Sequence, residues 1–399
     1  MKIRGIIQLV LCINLFFLSG CWDRKELNDR AIWLATGWDV AENGGFEISG
    51  QIVIPTSLST QSGGGGATNE AFFTTSAKGK NIEDAIKNLQ EKLPREAYFG
   101  HRRVIFLGEE FAKLGLKKEL DIFQRDPETS LRTDIFIVKG GKAQELLTIS
   151  NPLEKAPAFT ALKEHKESGG LGDTTYLNFL IAANRKGIRP SIPVIKISHS
   201  MDESLGGNEN SVNKGIVQLA GVGVFDSNLK MLGFLNNEED RDLLWIMGLL
   251  KKMTISISKK EGNASINLTK IDCDIKPKFD KKNKVSFKVN LEGVGTLLES
   301  NSGLDMTDPK NLNILEKQFE KEVQEQVQQT ILKVQKEYGM DIFGFGEVIH
   351  RKNAIKWKSL KDHWDQTFPN TKITVKAKIK INHIGKEGSD VLFKESEIK

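Results

Sequence analysis

The chain has 399 residues, with 39% apolar and 27% charged side chains and a formal net charge of +5. That length is ample for two or three domains with cores of their own, and the small charge excess leaves no electrostatic footprint for nucleic acid, so no nucleic acid is expected as a partner. Three cysteines, at 12, 21 and 273, exclude a disulfide-stapled scaffold.

The first residues read as a targeting segment. Lys2 and Arg4 make a short basic start, and Ile6 to Leu18 is apolar apart from Gln8 and Asn14, the layout of a signal peptide. An apolar run of about 13 residues falls short of the roughly 20 that cross a bilayer as a helix. It ends in Leu18-Ser19-Gly20-Cys21: a large aliphatic residue, two small ones, then cysteine, which is the bacterial lipobox pattern. In that pathway the Cys21 thiol receives a diacylglyceryl group and the peptide is cut just before it. Two acyl chains, at about 0.8 kcal/mol per buried CH₂, hold stably where one holds only marginally. Cleavage removes residues 1–20, lowers the net charge to +3 through loss of Lys2 and Arg4, and leaves Cys273 as the only thiol of the folded part.

After a polar leash, Trp22 to Arg30, the residues Phe46, Ile48, Gly50, Ile52 and Ile54 alternate as the inward face of a strand. The glycine-rich stretch Ser62 to Glu70 separates it from a second β-like run at 71–79, predicting a long-looped hairpin. Asn81 is placed to cap a helix carrying Ile82, Ala85, Ile86, Leu89 and Leu93. Strands at 103–107 and 133–139 then interleave with helices at 109–123 and 142–149, so the segment 21–200 reads as an α/β domain. Residues 201–213, polar and without apolar period, read as a linker. Beyond it, Asp226-Ser227-Asn228 turns a hairpin, 242–250 is a buried helix, and strands follow at 253–258, 264–279 and 285–298. This gives a middle domain over 214–268 and a C-terminal α+β domain over 269–399.

The clearest helix is 309–338. Thr307 or Asp308 caps it, Pro309 opens it and Gly339 closes it. Leu312, Leu315, Phe319, Val323, Val327, Ile331, Val334 and Tyr338 form one stripe, so a helix laid across a sheet fits best. At 1.5 Å per residue it spans roughly 45 Å. The final strand, from Ile373, turns Ile373, Val375, Ala377, Ile379 and Ile381 inward and Lys376, Lys378 and Lys380 outward.

No catalytic constellation emerges. The six histidines are scattered, with no H-E-x-x-H and no carboxylate cluster beside them. A G-x-S-x-G elbow is lacking, and the glycines at 63–66 precede neither Gly-Lys-Ser/Thr nor a helix start, so they form no phosphate cradle. The chain is therefore read as a non-enzyme without cofactor or metal. Residues 351–386 carry ten Lys or Arg against Asp362 and Asp365, a local net of +8. That makes Lys376, Lys378 and Lys380 a candidate face toward an acidic partner or anionic lipid, with a merely solvated face equally well supported.

Four segments in order, "GCWDRKELND" at 20–29, "YFGHRRVIFLGEEFAKLGL" at 98–116, "AGVGVF" at 220–225 and "DIFGFGEVIHRKNAIKWKSLKDHW" at 341–364, carry a resemblance. The chain resembles the Ger(x)C family, the C-subunit lipoproteins of spore germinant receptors, along nearly its whole length. The resemblance implies an elongated three-domain α+β fold of sheets flanked by helices. It also implies anchoring by Cys21 to the outer face of the spore inner membrane, and work beside A and B integral membrane subunits. It supplies no catalytic residue; Cys21 alone is carried over as a functional position. Two other readings stay open: a solute-binding lipoprotein of a transporter, which would show a second lobe repeating the first, and an envelope hydrolase.

Overall fold

The computed structural model describes residues 26, 29–54, 72–120, 122, 125, 129–149, 156–167, 174–199, 215–259, 262–302 and 305–385. The signal peptide, Leu18, Ser19, Gly20, Cys21, the glycines at 63–66 and the segment 201–213 lie outside them. Two sheets organise the chain. The first has nine strands: β1 (Arg30–Val40), β2 (Phe46–Val53), β3 (Phe72–Gly79), β4 (Glu96–Tyr98), β5 (Val104–Gly108), β6 (Asp134–Val138), β7 (Ser191–His199), β8 (Gly215–Phe225) and β9 (Met231–Leu235), in the order β3-β2-β1-β5-β6-β7-β8-β9, with the short β4 beside β1. β1, β5, β6 and β7 run parallel, while the flanking pairs are antiparallel.

The central strands have near-continuous apolar sequences, as strands covered on both faces require. One face packs α1 (Ile82–Gln90), α2 (Glu109–Leu114) and α5 (Tyr176–Asn184) over Trp33, Trp38, Ile105, Leu107 and Ile135; the other packs α3 (Ala143–Leu147) and α4 (Pro157–Glu167) over Ala35, Phe106, Phe136 and Val138. Asn81 does cap α1, accepting from the Asp84 N–H. Gly50 has no room for a side chain, since a Cβ there would lie 2.5 Å from the Trp33 ring.

The second face of β2 differs from the sequence expectation. Glu47, Ser49 and Gln51 are buried, because α3 lies over them. They and their neighbours hold both ends of that short helix: Asp39 accepts from the Ala143 and Gln144 N–H groups at 2.8 and 3.0 Å, and Thr74 donates to the Leu147 carbonyl at 3.0 Å. Burial nonetheless pushes the Asp39 carboxyl up to about 6, against these two donors. The helix expected to reach Phe123 stops at Leu114, where Gly115 takes φ 113°. The buried helix expected at 242–250 is α6 (Asn237–Ile246). It starts earlier because Asn236 and Glu239 form a capping box, and it ends before Gly248 at φ 72°.

The second sheet orders β10 (Met253–Lys259), β11 (Gly262–Phe279), β12 (Val285–Ser300) and β13 (Lys372–His383) in sequence. The segment 214–268 thus supplies strands to both sheets, and residue 268 lies within β11. One face carries Ile255, Ile266, Val289, Leu291, Val375 and Ile379 beneath α6 and α7 (Pro309–Lys333); the other is solvated. Asp308 caps α7, and Leu315, Phe319, Val323, Val327 and Ile331 are its buried stripe. Past Lys333 the backbone widens into a π turn, Val334–Tyr338, closed by Gly339 at φ 67°. The widening lets the buried Gln335 amide donate to both the Phe368 and Thr371 carbonyls, at 2.8 and 2.9 Å.

α7 also finishes an open edge. β13 ends its sheet, and its outward N–H groups need acceptors. Glu316 takes the Ile381 N–H at 2.9 Å, Glu320 that of Ile379 at 3.3 Å and Gln328 that of Val375 at 3.2 Å. Residues four apart on a helix advance about 6 Å, close to the two-residue step of a strand, so the two ladders keep pace.

Candidate functional site

The two sheets meet at a joint, built on one side by the segment 341–365. Its seat is Asp341, wholly buried at the head of α8 (Phe345–Lys352). Its carboxylate accepts from the Gly344, Phe345 and Gly346 N–H groups at 2.9, 3.2 and 2.8 Å and from Trp364 Nε1 at 2.9 Å. Four donors hold the charged form, yet desolvation is larger and pushes the carboxyl up to about 6. Gly344 adopts φ 82°, and at Gly346 a Cβ would sit 2.6 Å from the Gly187 Cα.

That close approach receives the loop 185–190 of the first sheet. Arg189 N–H donates to the Asp341 carbonyl at 2.7 Å, and Glu347 N–H to the Gly187 carbonyl at 3.2 Å. Around it Arg189 pairs with Asp365 and Lys186 with Asp362, where α9 (Trp364–Thr367) begins, while Arg185 lies 3.8 Å from Glu347. The "DIFGFGEVIHRK" segment is therefore a docking seat. Trp245, Trp357 and Trp364 are core residues, as their helical placement predicts.

On the other side α6 lies against α7. Asp242, 1% exposed, accepts from Thr330 Oγ1 at 2.7 Å and Gln326 Nε2 at 3.0 Å, and Lys333 pairs with Glu239 at 2.8 Å. Burial, helped by Glu238 and Glu239, pushes the Asp242 carboxyl up to about 7. Tyr338 Oη donates to the Phe234 carbonyl at 2.9 Å, its ring packed on Gly233.

Between these contacts lies a cavity of about 280 Å³. Its walls are mainly Phe179, Ile181, Ala182, Ile188, Leu243 and Ile342, and Asp240 is its one acidic lining residue. Sequence reasoning missed this site. The signal was present in α6, where Asp240, Leu243, Leu244 and Met247 fall on one helical face, but what faces them comes from distant segments.

The lysine face is less basic than its sequence count. Lys376 and Lys378 are exposed and make no ion pair among the described residues, whereas Lys380 is 2.9 Å from Glu316. Strand register sets Lys376 beside Asn290 and Lys378 beside Glu292, with Asp274 and Asp272 one strand further. Lys352, counted in the same basic run, is bound to Asp274 at 3.2 Å. Cys273, half-buried in β11, has its thiol pushed up to about 12 by burial and by Asp272 and Asp274, so it stays protonated. His101 and His350 are exposed. Among the described residues no group of three His, Cys, Asp or Glu converges as a metal site, and no helix is long and apolar enough to cross a membrane.

Residues 23–197 match the family model described as spore germination protein N-terminal domain, and residues 220–385 match that described as spore germination B3/GerAC like, C-terminal. The chain belongs to the Ger(x)C family. Its curated relatives include spore germination protein KC of Bacillus subtilis, 27% identical over 96% of each chain, and spore germination protein B3 of the same organism, 26% identical over 95% of this chain and 98% of that one. A solved structure described as that of the GerBC protein superposes with a TM-score of 0.54, covering 90% of this chain and all of that one at 21% identity. The Ger(x)C fold here is thus mixed α+β, two sheets flanked by helices with a long C-terminal helix, as the sequence predicts.

Proposed function

We propose that this protein is the C subunit of a spore germinant receptor, lipid-anchored through Cys21 at the outer face of the spore inner membrane and assembled with A and B integral membrane subunits. The observation that carries the reading is the full-length similarity to relatives named as spore germination proteins, on a chain whose first residues end in Leu18-Ser19-Gly20-Cys21. The protein's task on this reading is assembly, with no catalytic step. A diacylglyceryl group on Cys21 confines it to a surface, which turns a weak encounter with membrane partners into one at high effective concentration. Lys376 and Lys378, the open part of the lysine face, are its candidate contact with an acidic partner or anionic lipid; Lys380 contributes through its pair with Glu316.

The test is a pull-down from detergent-solubilised spore inner membrane with a tag after Lys399, comparing wild type with Cys21→Ala. Two polytopic membrane proteins are expected to co-purify with wild type and to be lost or reduced with the variant. Recovery of a transporter, or full membrane retention and normal germination of Cys21→Ala, would overturn the reading.

A further inference from the structure

α6 presents Asp240, Leu243, Leu244 and Met247 at spacings of three and four, and all four line the cavity at the joint. The Asp240 carboxylate therefore shares the face turned to that space. Asp242 has Thr330 and Gln326 as donors; Asp240 has no donor among the described residues, and the only charge that lowers its titration is neighbouring Arg241. Two arginines on the cavity wall have their charges balanced by other acids: Arg189 pairs with Asp365 through one terminal nitrogen while its Nε has no partner, and Arg185 lies 3.8 Å from Glu347. The remaining wall is largely hydrocarbon. An uncompensated carboxylate facing such a wall is costly to keep.

We propose that this cavity is a binding site for a small organic cation, an ammonium or guanidinium on a short hydrocarbon stem, with Asp240 as its counter-ion. The cation replaces the donor that Asp240 lacks, and the stem packs on Ala182, Ile181, Leu244 and Met247. A volume of about 280 Å³ limits the ligand to the small end of the usual range. Burial pushes the Asp240 carboxyl up to about 7, consistent with a group whose counter-charge is not supplied by the chain. The proposal concerns the chain itself and holds whether or not the receptor reading does.

The experiment is titration calorimetry on the full chain in detergent micelles, with n-butylammonium, n-butanol and butyrate as probes. Saturable binding of n-butylammonium, at least tenfold tighter than butanol and with no heat for butyrate, is expected. Asp240→Asn should weaken it at least tenfold while the ligand-free melting temperature stays equal or rises. Ala182→Phe, which fills the cavity from α5, should abolish it. Equal binding by wild type and Asp240→Asn, equal heats for butyrate, or no saturable binding would each overturn the proposal.

Discussion

Asp341 and Asp240 both belong to the joint between the sheets. The first is wholly buried beneath four donors; the second is half-buried on a cavity wall with none among the described residues. Burial raises both carboxyls, to about 6 and about 7, but what opposes it differs. At Asp341 the donors oppose desolvation, and the residue orders the loop Gly344-Phe345-Gly346 against Gly187. At Asp240 only Arg241 opposes it. The contrast separates a buried charge that builds structure from one that waits for a partner.

The largest effect is expected at the satisfied site. Asp341→Asn turns an amide NH₂ toward donors that need an acceptor, and should cost about 3–5 kcal/mol, the range for breaking a buried charge network. A lowered urea midpoint would register it, and an unchanged midpoint would deny Asp341 its role. Gly346→Ala places a methyl 2.6 Å from the Gly187 Cα and should cost about 1–3 kcal/mol. Its readout is faster hydrogen exchange in the loop 185–190.

Asp240→Asn should act in the opposite direction, stabilising by roughly 1 kcal/mol, because it removes an uncompensated charge. If Asn destabilises at both 240 and 341, the contrast between them fails. Asp242 tests the same physics through pH. Its carboxyl titrates near 7 when folded against an ordinary 3.8. The unfolded chain therefore ionises first as pH rises, and this group's contribution, greatest below pH 4, is lost between about pH 4 and pH 7. Asp242→Asn should remove that slope, so its melting temperature relative to wild type climbs across this interval and levels off above it. The smallest effect belongs to the exposed Lys380: Lys380→Ala should leave the urea midpoint unchanged despite the 2.9 Å pair with Glu316, because solvent screens it.

How far these features could be read from the chain depends on the distance over which each is decided. The α7 stripe from Leu315 to Ile331, its Asp308 and Pro309 start, the Asn81 cap and the inward isoleucines of β13 all repeat within a few residues, and each took the expected form. Helices α4 and α5 carry weaker signals; α5 is apolar on several faces, Tyr176 to Ala183, and gives no clear period. Glu47, Ser49 and Gln51 looked like a solvated face because nothing near them in the chain announces α3.

The sequence by itself determined most of the strands, though not β1, β4 or β7, together with the long helix and its cap and the Leu18 to Cys21 motif, since turn chemistry, apolar period and signal-peptide layout are local properties. Tertiary structure alone decided that Glu316, Glu320 and Gln328 serve the edge of β13 and that Gly187 meets Gly346. It alone interleaved Asp272, Asp274 and Glu292 with the lysines of residues 351–386, and left Asp240 facing a cavity. Each of these depends on which distant segments are brought into register. A carboxylate's environment is the sum of its neighbours in space, and only a few of those are its neighbours along the chain.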